Sequence, residues 1–292
     1  MKAYVPNYNL ICPTNLNQAL NILSEKKVKL FAGGTDLMVL FETGKLTEGE
    51  YLSLHAISEL KGISENNNEI LIGSLTTYNE IKESLIIQNN FPLLISAAKV
   101  TGAIAIQNRG TIGGNIANAS PAADTPPALL CYEAKITVKN KKEERKIDLS
   151  KFYLDYKKLD LAPNEIITCI HLPKKKIEGN EYSFYHKVGT REGQAISKVC
   201  FSLRVIIKNK IINYFKLGLG SVSPTTILAI QTEKLMAGEM LTKVLIKKAQ
   251  NEILKDISPI DDIRSSAKYR KKITQNLIGH YLELILKENS YK

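Results

Sequence analysis

The sequence predicts an α+β protein built as two successive units, and three observations lead there. Two glycine-doublet loops, Ala32-Gly33-Gly34-Thr35-Asp36-Leu37 and Thr111-Ile112-Gly113-Gly114-Asn115, each precede a segment able to start a helix or a turn. From Ala134 onward the hydrophobic period changes to two, the mark of half-buried strands. A polar, turn-rich stretch, Pro173-Lys174-Lys175-Lys176 followed by Glu178-Gly179-Asn180, reads as a linker, beyond which strand-like runs give way to helical ones.

Taken in order, Thr14 is placed to cap a helix carrying Leu16, Ala19, Leu20 and Leu23 on one face, and residues 28–32 make a short apolar strand that delivers the first loop. Residues 69–74 form another strand, and Pro92 starts an apolar helix that runs toward Val100 and a turn at Thr101-Gly102. After the second loop, the prolines of Ser120-Pro121-Ala122-Ala123-Asp124-Thr125-Pro126-Pro127 favour a rigid turn. Ile136 and Val138 alternate with polar neighbours, and residues 166–172 are a further β-rich run. Past the linker, residues 182–188, 197–207 and 211–219 read as three strands, the last two joined as a hairpin at Lys208-Asn209-Lys210. Residues 225–237, 241–256 and 263–287 read as helices, the last capped by Asp261 and Asp262 and carrying Tyr269, Ile273, Leu277, Tyr281 and Leu284 as a core-facing stripe.

A chain of 292 residues can bury roughly three quarters of its unfolded surface. No run approaches the ~20 apolar residues of a membrane span, and Asn7, Asn9, Pro13, Asn15 and Asn17 interrupt the N-terminal stretch where a signal segment would be apolar. The expected location is the cytoplasm. Cys12, Cys131, Cys169 and Cys200 lie far apart without a C-x-x-C pair, which argues against a metal cluster on this chain and against a disulfide framework. The net charge of +11 sits in short lysine clusters without interleaved aromatics, a solvated face rather than a nucleic-acid surface.

The glycine loops carry the chemistry. Glycine lets a backbone approach a ligand closely and adopt positive φ, so successive N–H groups can converge on phosphate oxygens. Two such loops can grip one diphosphate from two sides. Neither reads G-x-G-x-x-G, Gly218-Leu219-Gly220 lacks the third glycine, and no P-loop occurs, so Rossmann and P-loop folds are disfavoured.

With these loops, the segments Gln107-Asn108-Arg109-Gly110 and Ser120-Pro121-Ala122-Ala123-Asp124, and Asp262-Ile263-Arg264-Ser265-Ser266-Ala267-Lys268-Tyr269-Arg270, the chain resembles the FAD-binding subunits of the molybdenum hydroxylases, the xanthine dehydrogenase and carbon monoxide dehydrogenase group. The resemblance covers essentially the whole chain. It implies a two-lobed FAD domain of the vanillyl-alcohol-oxidase (PCMH) type over residues 1–175, with a small α/β lobe to about 57 and a larger antiparallel lobe after it. A C-terminal domain over residues 178–288, of a three-stranded sheet plus helices, would follow. It implies non-covalent FAD between the lobes, held by Leu30, Phe31, Ala32, Gly33, Gly34, Thr35, Asp36 and Leu37 on one side and by Thr111, Ile112, Gly113, Gly114 and Asn115 on the other. Thr101, Asp124, Ile167 and Lys187 fall where family members touch the cofactor.

The same resemblance implies that a molybdopterin-binding large subunit and a [2Fe–2S] small subunit feed electrons to this flavin, which passes them to a soluble acceptor such as NAD, with a xanthine-dehydrogenase-like system favoured. A stand-alone flavin oxidoreductase and a non-catalytic assembly subunit are the competing readings. Single residues carry alternatives too. Asp36 serves either the cofactor or only the start of a helix, Gln107 and Arg109 brace the second loop, and Lys187 is either beside the flavin or a surface strand lysine. Arg264, Tyr269 and Arg270 read as structural or as a subunit contact, and the four histidines as surface or packed.

Overall fold

The computed structural model of the protein describes residues 8–46, 49–191 and 193–290. The N-terminal segment reading falls in part on residues 1–7, outside the described residues. Three strands, Tyr8–Ile11, Gly49–Ser53 and Lys29–Phe31, make a small parallel sheet in that spatial order, with Tyr8 opposite Gly49 and Lys29 opposite Tyr51. Helix Leu16–Glu25 covers it, burying Ala19, Leu20 and Leu23 against Leu52, Leu54 and Ile57. Its cap is Asn15, one residue after the expected Thr14: the Asn15 side chain accepts from the Gln18 N–H at 3.0 Å, while Thr14 is tied to the Gln18 side chain.

A second, five-stranded antiparallel sheet runs Ile63–Glu65, Glu69–Gly73, Ile166–Pro173, Lys135–Lys139, Glu144–Asp148. Its inner face, with Ile70, Ile72, Ile136, Val138 and Ile170, packs on the helices Tyr78–Glu83, Pro92–Val100 and Ile112–Ala117. The proline segment expected as a turn becomes the first turn of helix Thr125–Cys131, with Pro126 and Pro127 at its start, where a missing N–H costs nothing.

The C-terminal sheet is antiparallel in the order Asn180–Val188, Val199–Lys208, Ile211–Gly220, Ile227–Leu228. The two-residue fourth strand takes the start of the expected 225–237 helix, which begins only at Ile230. Helices Lys243–Asp256 and Ala267–Ser290 pack on this sheet. On the last helix the most deeply buried positions are Thr274, Ile278, Leu282 and Ile285, next to the expected stripe, while Tyr269 is exposed. Ile273, Leu277 and Tyr281 of the expected stripe flank that row and pack against the same core, with Phe184 and Phe201 stacked on Tyr281. Arg270 is buried and structural: it donates to the Lys198 and Ser221 carbonyls at 2.9 and 2.7 Å and pairs with Asp262, anchoring the helix to the end of the sheet.

Helix Thr125–Cys131 lies between the five-stranded lobe and the C-terminal sheet. A Cβ on Gly218 would come 2.1 Å from the Pro127 carbonyl oxygen, so this glycine is required by the close approach. Tyr185 donates to the Asp124 carbonyl at 2.9 Å, which places the start of that helix against strand Asn180–Val188.

Candidate functional site

A cavity of about 360 Å³ opens between the two N-terminal lobes. Of the residues expected at a cofactor, Leu30, Ala32, Gly33, Gly34, Thr35, Asp36, Leu37, Thr111, Gly113, Gly114, Asn115 and Ile167 line it. A second cavity of about 340 Å³ shares Ala32, Gly33, Leu75 and Thr111 with the first and adds His55, Lys61 and Arg109. The glycine loops therefore form a neck with space on both sides. A Cβ on Gly33 would meet the Arg109 carbonyl oxygen of the other segment at 2.0 Å.

The loops differ in what their amides do. In the second, the Ile112 N–H donates to Thr76 O (3.0 Å), Gly113 to Ser74 O (2.8 Å), Gly114 to Thr111 Oγ1 (3.1 Å) and Asn115 to Thr111 O (3.0 Å). In the first, the N–H groups of Gly33, Gly34, Thr35, Asp36 and Leu37 have no acceptor among the described residues. Gly34, at φ +78°, turns this stretch inward over the Phe31 ring, whose Cζ would lie 2.5 Å from an added Cβ. Unpaired amides on a concave loop are an anion site.

Asp36 does not cap the helix Leu37–Glu42 that follows it; its carboxylate accepts from Asn118 Nδ2 at 2.9 Å. Asn118 in turn receives the Lys157 ammonium, so one chain of bonds spans the first loop, the end of helix Ile112–Ala117 and the 153–159 hairpin. The Gln107 side chain accepts from Lys82 Nζ at 2.7 Å and donates to the Lys99 carbonyl at 3.0 Å, tying its short helix to the two helices beside it rather than to the second loop. The Arg109 side chain makes no bond among the described residues and faces the second cavity instead.

Five expected residues do not line either cavity. Phe31 underlies Gly34, and Ile112 is in the core. Thr101 is buried and donates to Ala97 O at 2.8 Å. Lys187 is no surface lysine: its side chain is 6% exposed, donating to Asp124 Oδ2 at 2.8 Å and Val100 O at 2.9 Å. Burial pushes the Asp124 carboxyl up to about 6 even against the attraction of Lys187. Asn115 links this pair to the neck, accepting from Thr125 Oγ1.

Among the described residues the buried Asp124 Oδ1 and Ser74 Oγ have no hydrogen-bond partner, and Ser74 lines the first cavity. Such orphans are costly unless a ligand completes them. Unpaired amides, glycine-narrowed neck, orphaned polar atoms and an apolar wall fit a dinucleotide with a central diphosphate.

Comparison with known proteins agrees. Residues 6–175 match the family described as the FAD binding domain in molybdopterin dehydrogenase. The chain belongs to this family. Residues 184–285 match the CO dehydrogenase flavoprotein C-terminal domain. Among curated relatives, the glyceraldehyde dehydrogenase medium chain of Sulfolobus acidocaldarius is 28% identical over 94% of this chain and 96% of its own length. The xanthine dehydrogenase FAD-binding subunit of Escherichia coli O157:H7 is 27% identical over 90% of each. The solved carbon monoxide dehydrogenase from Hydrogenophaga pseudoflava superposes with a TM-score of 0.90 at 25% identity, over 96% of this chain and 97% of the other. The chain is an FAD-binding flavoprotein subunit of the molybdenum hydroxylase family and an oxidoreductase component.

Tyr78, Leu40, Leu54, Leu161, Ile166, Asn118 and Ser74 also line the first cavity and were not anticipated. For the aliphatic ones no local signal exists, since core and cavity wall have the same composition. Thr77-Tyr78-Asn79-Glu80 does carry one, a capping box that fixes Tyr78 at a helix start.

Proposed function

We propose that this subunit holds FAD across the glycine neck and acts as the electron exit of a larger complex. The diphosphate would be gripped by the amides of Gly33, Gly34, Thr35, Asp36 and Leu37, with Leu30, Phe31 and Ala32 shaping that side. Thr111, Ile112, Gly113, Gly114 and Asn115 would close the other side by close approach, letting the two ring systems extend away from the neck. Ile167 would give an apolar wall; Thr101, Asp124 and Lys187 would form a buried polar anchor behind Asn115, with Asp124 Oδ1 accepting from a cofactor donor. FAD, when bound, supplies transfer of electrons singly or as hydride, chemistry that no side chain offers. The chain's own part is to orient, to exclude water and to hold charge. The five unpaired amides on the first loop carry this reading.

The electron source would be a [2Fe–2S] small subunit fed by a molybdopterin-binding large subunit. Among the described residues no group of three or more His, Cys, Asp or Glu side chains is placed to hold a metal. The acceptor would be soluble, NAD being the first choice, and the system xanthine-dehydrogenase-like, a reading supported by the 27% identical relative. No helix among the described residues is long and apolar enough to cross a membrane; the cytoplasm is the proposed location.

The test is the visible spectrum of the purified chain, after adding FAD and then NADH without oxygen. A flavin spectrum that NADH bleaches is the expected result. Bound flavin indifferent to NADH would remove NAD as acceptor, and absence of flavin binding would overturn the two-loop site.

A further inference from the structure

We propose that Tyr78 is a further cofactor-binding residue, whose hydroxyl donates a hydrogen bond to the diphosphate of the bound dinucleotide from the side of the second loop; this rests on the FAD reading above. The argument begins with a deficit. The first loop brings five unpaired amides, whereas the amides of Ile112, Gly113, Gly114 and Asn115 are all spent within the chain. An anion at the neck is therefore solvated by backbone on one side only, and the other side needs a donor from a side chain.

Tyr78 stands at that side. Its N–H donates to Gly110 O at 3.3 Å, and the Ile112 N–H donates to Thr76 O at 3.0 Å, so residues 76–78 run alongside the second loop. The ring lies against Gly110, where an added Cβ would come 2.8 Å from Cε2. Thr77 and Glu80 lock the backbone at this helix start by a reciprocal capping box. Tyr78 is 3% exposed and lines the same cavity as both glycine loops. Its hydroxyl makes no hydrogen bond within the described residues, leaving it free for a ligand in that cavity.

The electrostatics suit a neutral donor. Burial, then the charges of Asp124 and Asp36, hold the phenol well above its ordinary titration range, so it keeps its proton at any working pH. An O–H can then donate to a phosphate oxygen in a spot whose nearby carboxylates would repel an anion left without donors.

Tyr78→Phe keeps the ring on Gly110 and removes only the hydroxyl. Calorimetry on the full chain with FAD, ADP and riboflavin tests the assignment, because ADP carries the diphosphate and riboflavin does not. The expected result is a loss of about tenfold or more in affinity for both FAD and ADP, the range of a hydrogen bond to a charged group, with riboflavin binding and the melting temperature of the cofactor-free chain unchanged. Unchanged FAD affinity would overturn the proposal, and so would an equal loss for riboflavin, which would assign the effect to ring packing. Failure of the unsubstituted chain to bind FAD would instead overturn the cofactor reading on which this one stands.

Discussion

The two glycine doublets look alike as strings and do opposite work. Gly113 is buried, its N–H bonded to Ser74 O and its Cα packed so tightly that a Cβ would lie 2.5 Å from that of Ser74. The helix it starts, Ile112–Ala117, contributes Ile112 and Ile116 to the core of the larger lobe. Gly33 and Gly34 stand instead before a short helix, Leu37–Glu42, none of whose residues is buried. One loop is a wall built into the fold, the other a set of open donors on a lightly anchored edge. The difference teaches that a glycine pair marks close backbone approach, and that what approaches can be the chain itself or a ligand.

Substitutions can break this contrast. The largest effect is expected at Gly113→Val, where the added atoms meet Ser74 backbone and side chain inside the core. It should cost about 3 kcal/mol or more and lower the melting temperature of the cofactor-free chain by about 10 °C, measured by calorimetry. Gly33→Val should act differently, pushing the first loop off the Arg109 carbonyl and abolishing FAD retention while the C-terminal domain stays folded by circular dichroism. If Gly33→Val unfolds the chain as Gly113→Val does, the two loops are equally structural and the contrast is wrong.

Behind the loops the same distinction separates two acids. Asp124 is buried with one oxygen unpaired, whereas Asp36 is exposed and bonded to Asn118. Asp124→Ala should weaken FAD binding by about tenfold or more and Asp36→Ala by about threefold or less, on the scale of a buried charged bond against an exposed one. Equal affinities in titration calorimetry would remove the ranking.

A pH dependence separates the acids further. Asp124 sits at about 6 in the folded chain against an ordinary 3.8, through burial. Between those values the folded state holds a proton that the unfolded state has released, so this group makes the chain less stable as pH rises from about 4 to about 6. Asp124→Asn should flatten that part of the profile, read as the difference between the two denaturation curves. Identical slopes would mean that Lys187 keeps the carboxylate ionised throughout.

Much of the site was legible because its signals are local. Glycine at 33, 34, 113 and 114 is visible as a string, and twelve of the expected residues do line one cavity. Strand Val199–Lys208 was legible because its apolar run is broken only at Ser202 and Arg204, both its faces being covered, by helix Thr125–Cys131 and by the C-terminal helices. The cap at Asn15 rather than Thr14 and the short strand Ile227–Leu228 were not, since neighbouring polar residues compete for a cap and a two-residue strand exists only by pairing with Gly218 and Leu219.

The family and the places where backbone must come close can be read from the string, because spacing and residue type are its properties, whereas strands Tyr8–Ile11, Gly49–Ser53, Ile63–Glu65 and Glu144–Asp148 left no reading there. Folding settled which loop amides lack an acceptor among the described residues, why Lys187 is spent on Asp124, and that Tyr78 lines the cavity with no hydroxyl partner among the described residues. The reason is that every buried donor needs an acceptor: Gly114 and Asn115 find theirs locally on Thr111, but the acceptors of Gly113 and Ile112, the Ser74 and Thr76 carbonyls, come from a distant stretch of chain that only folding brings beside the loop.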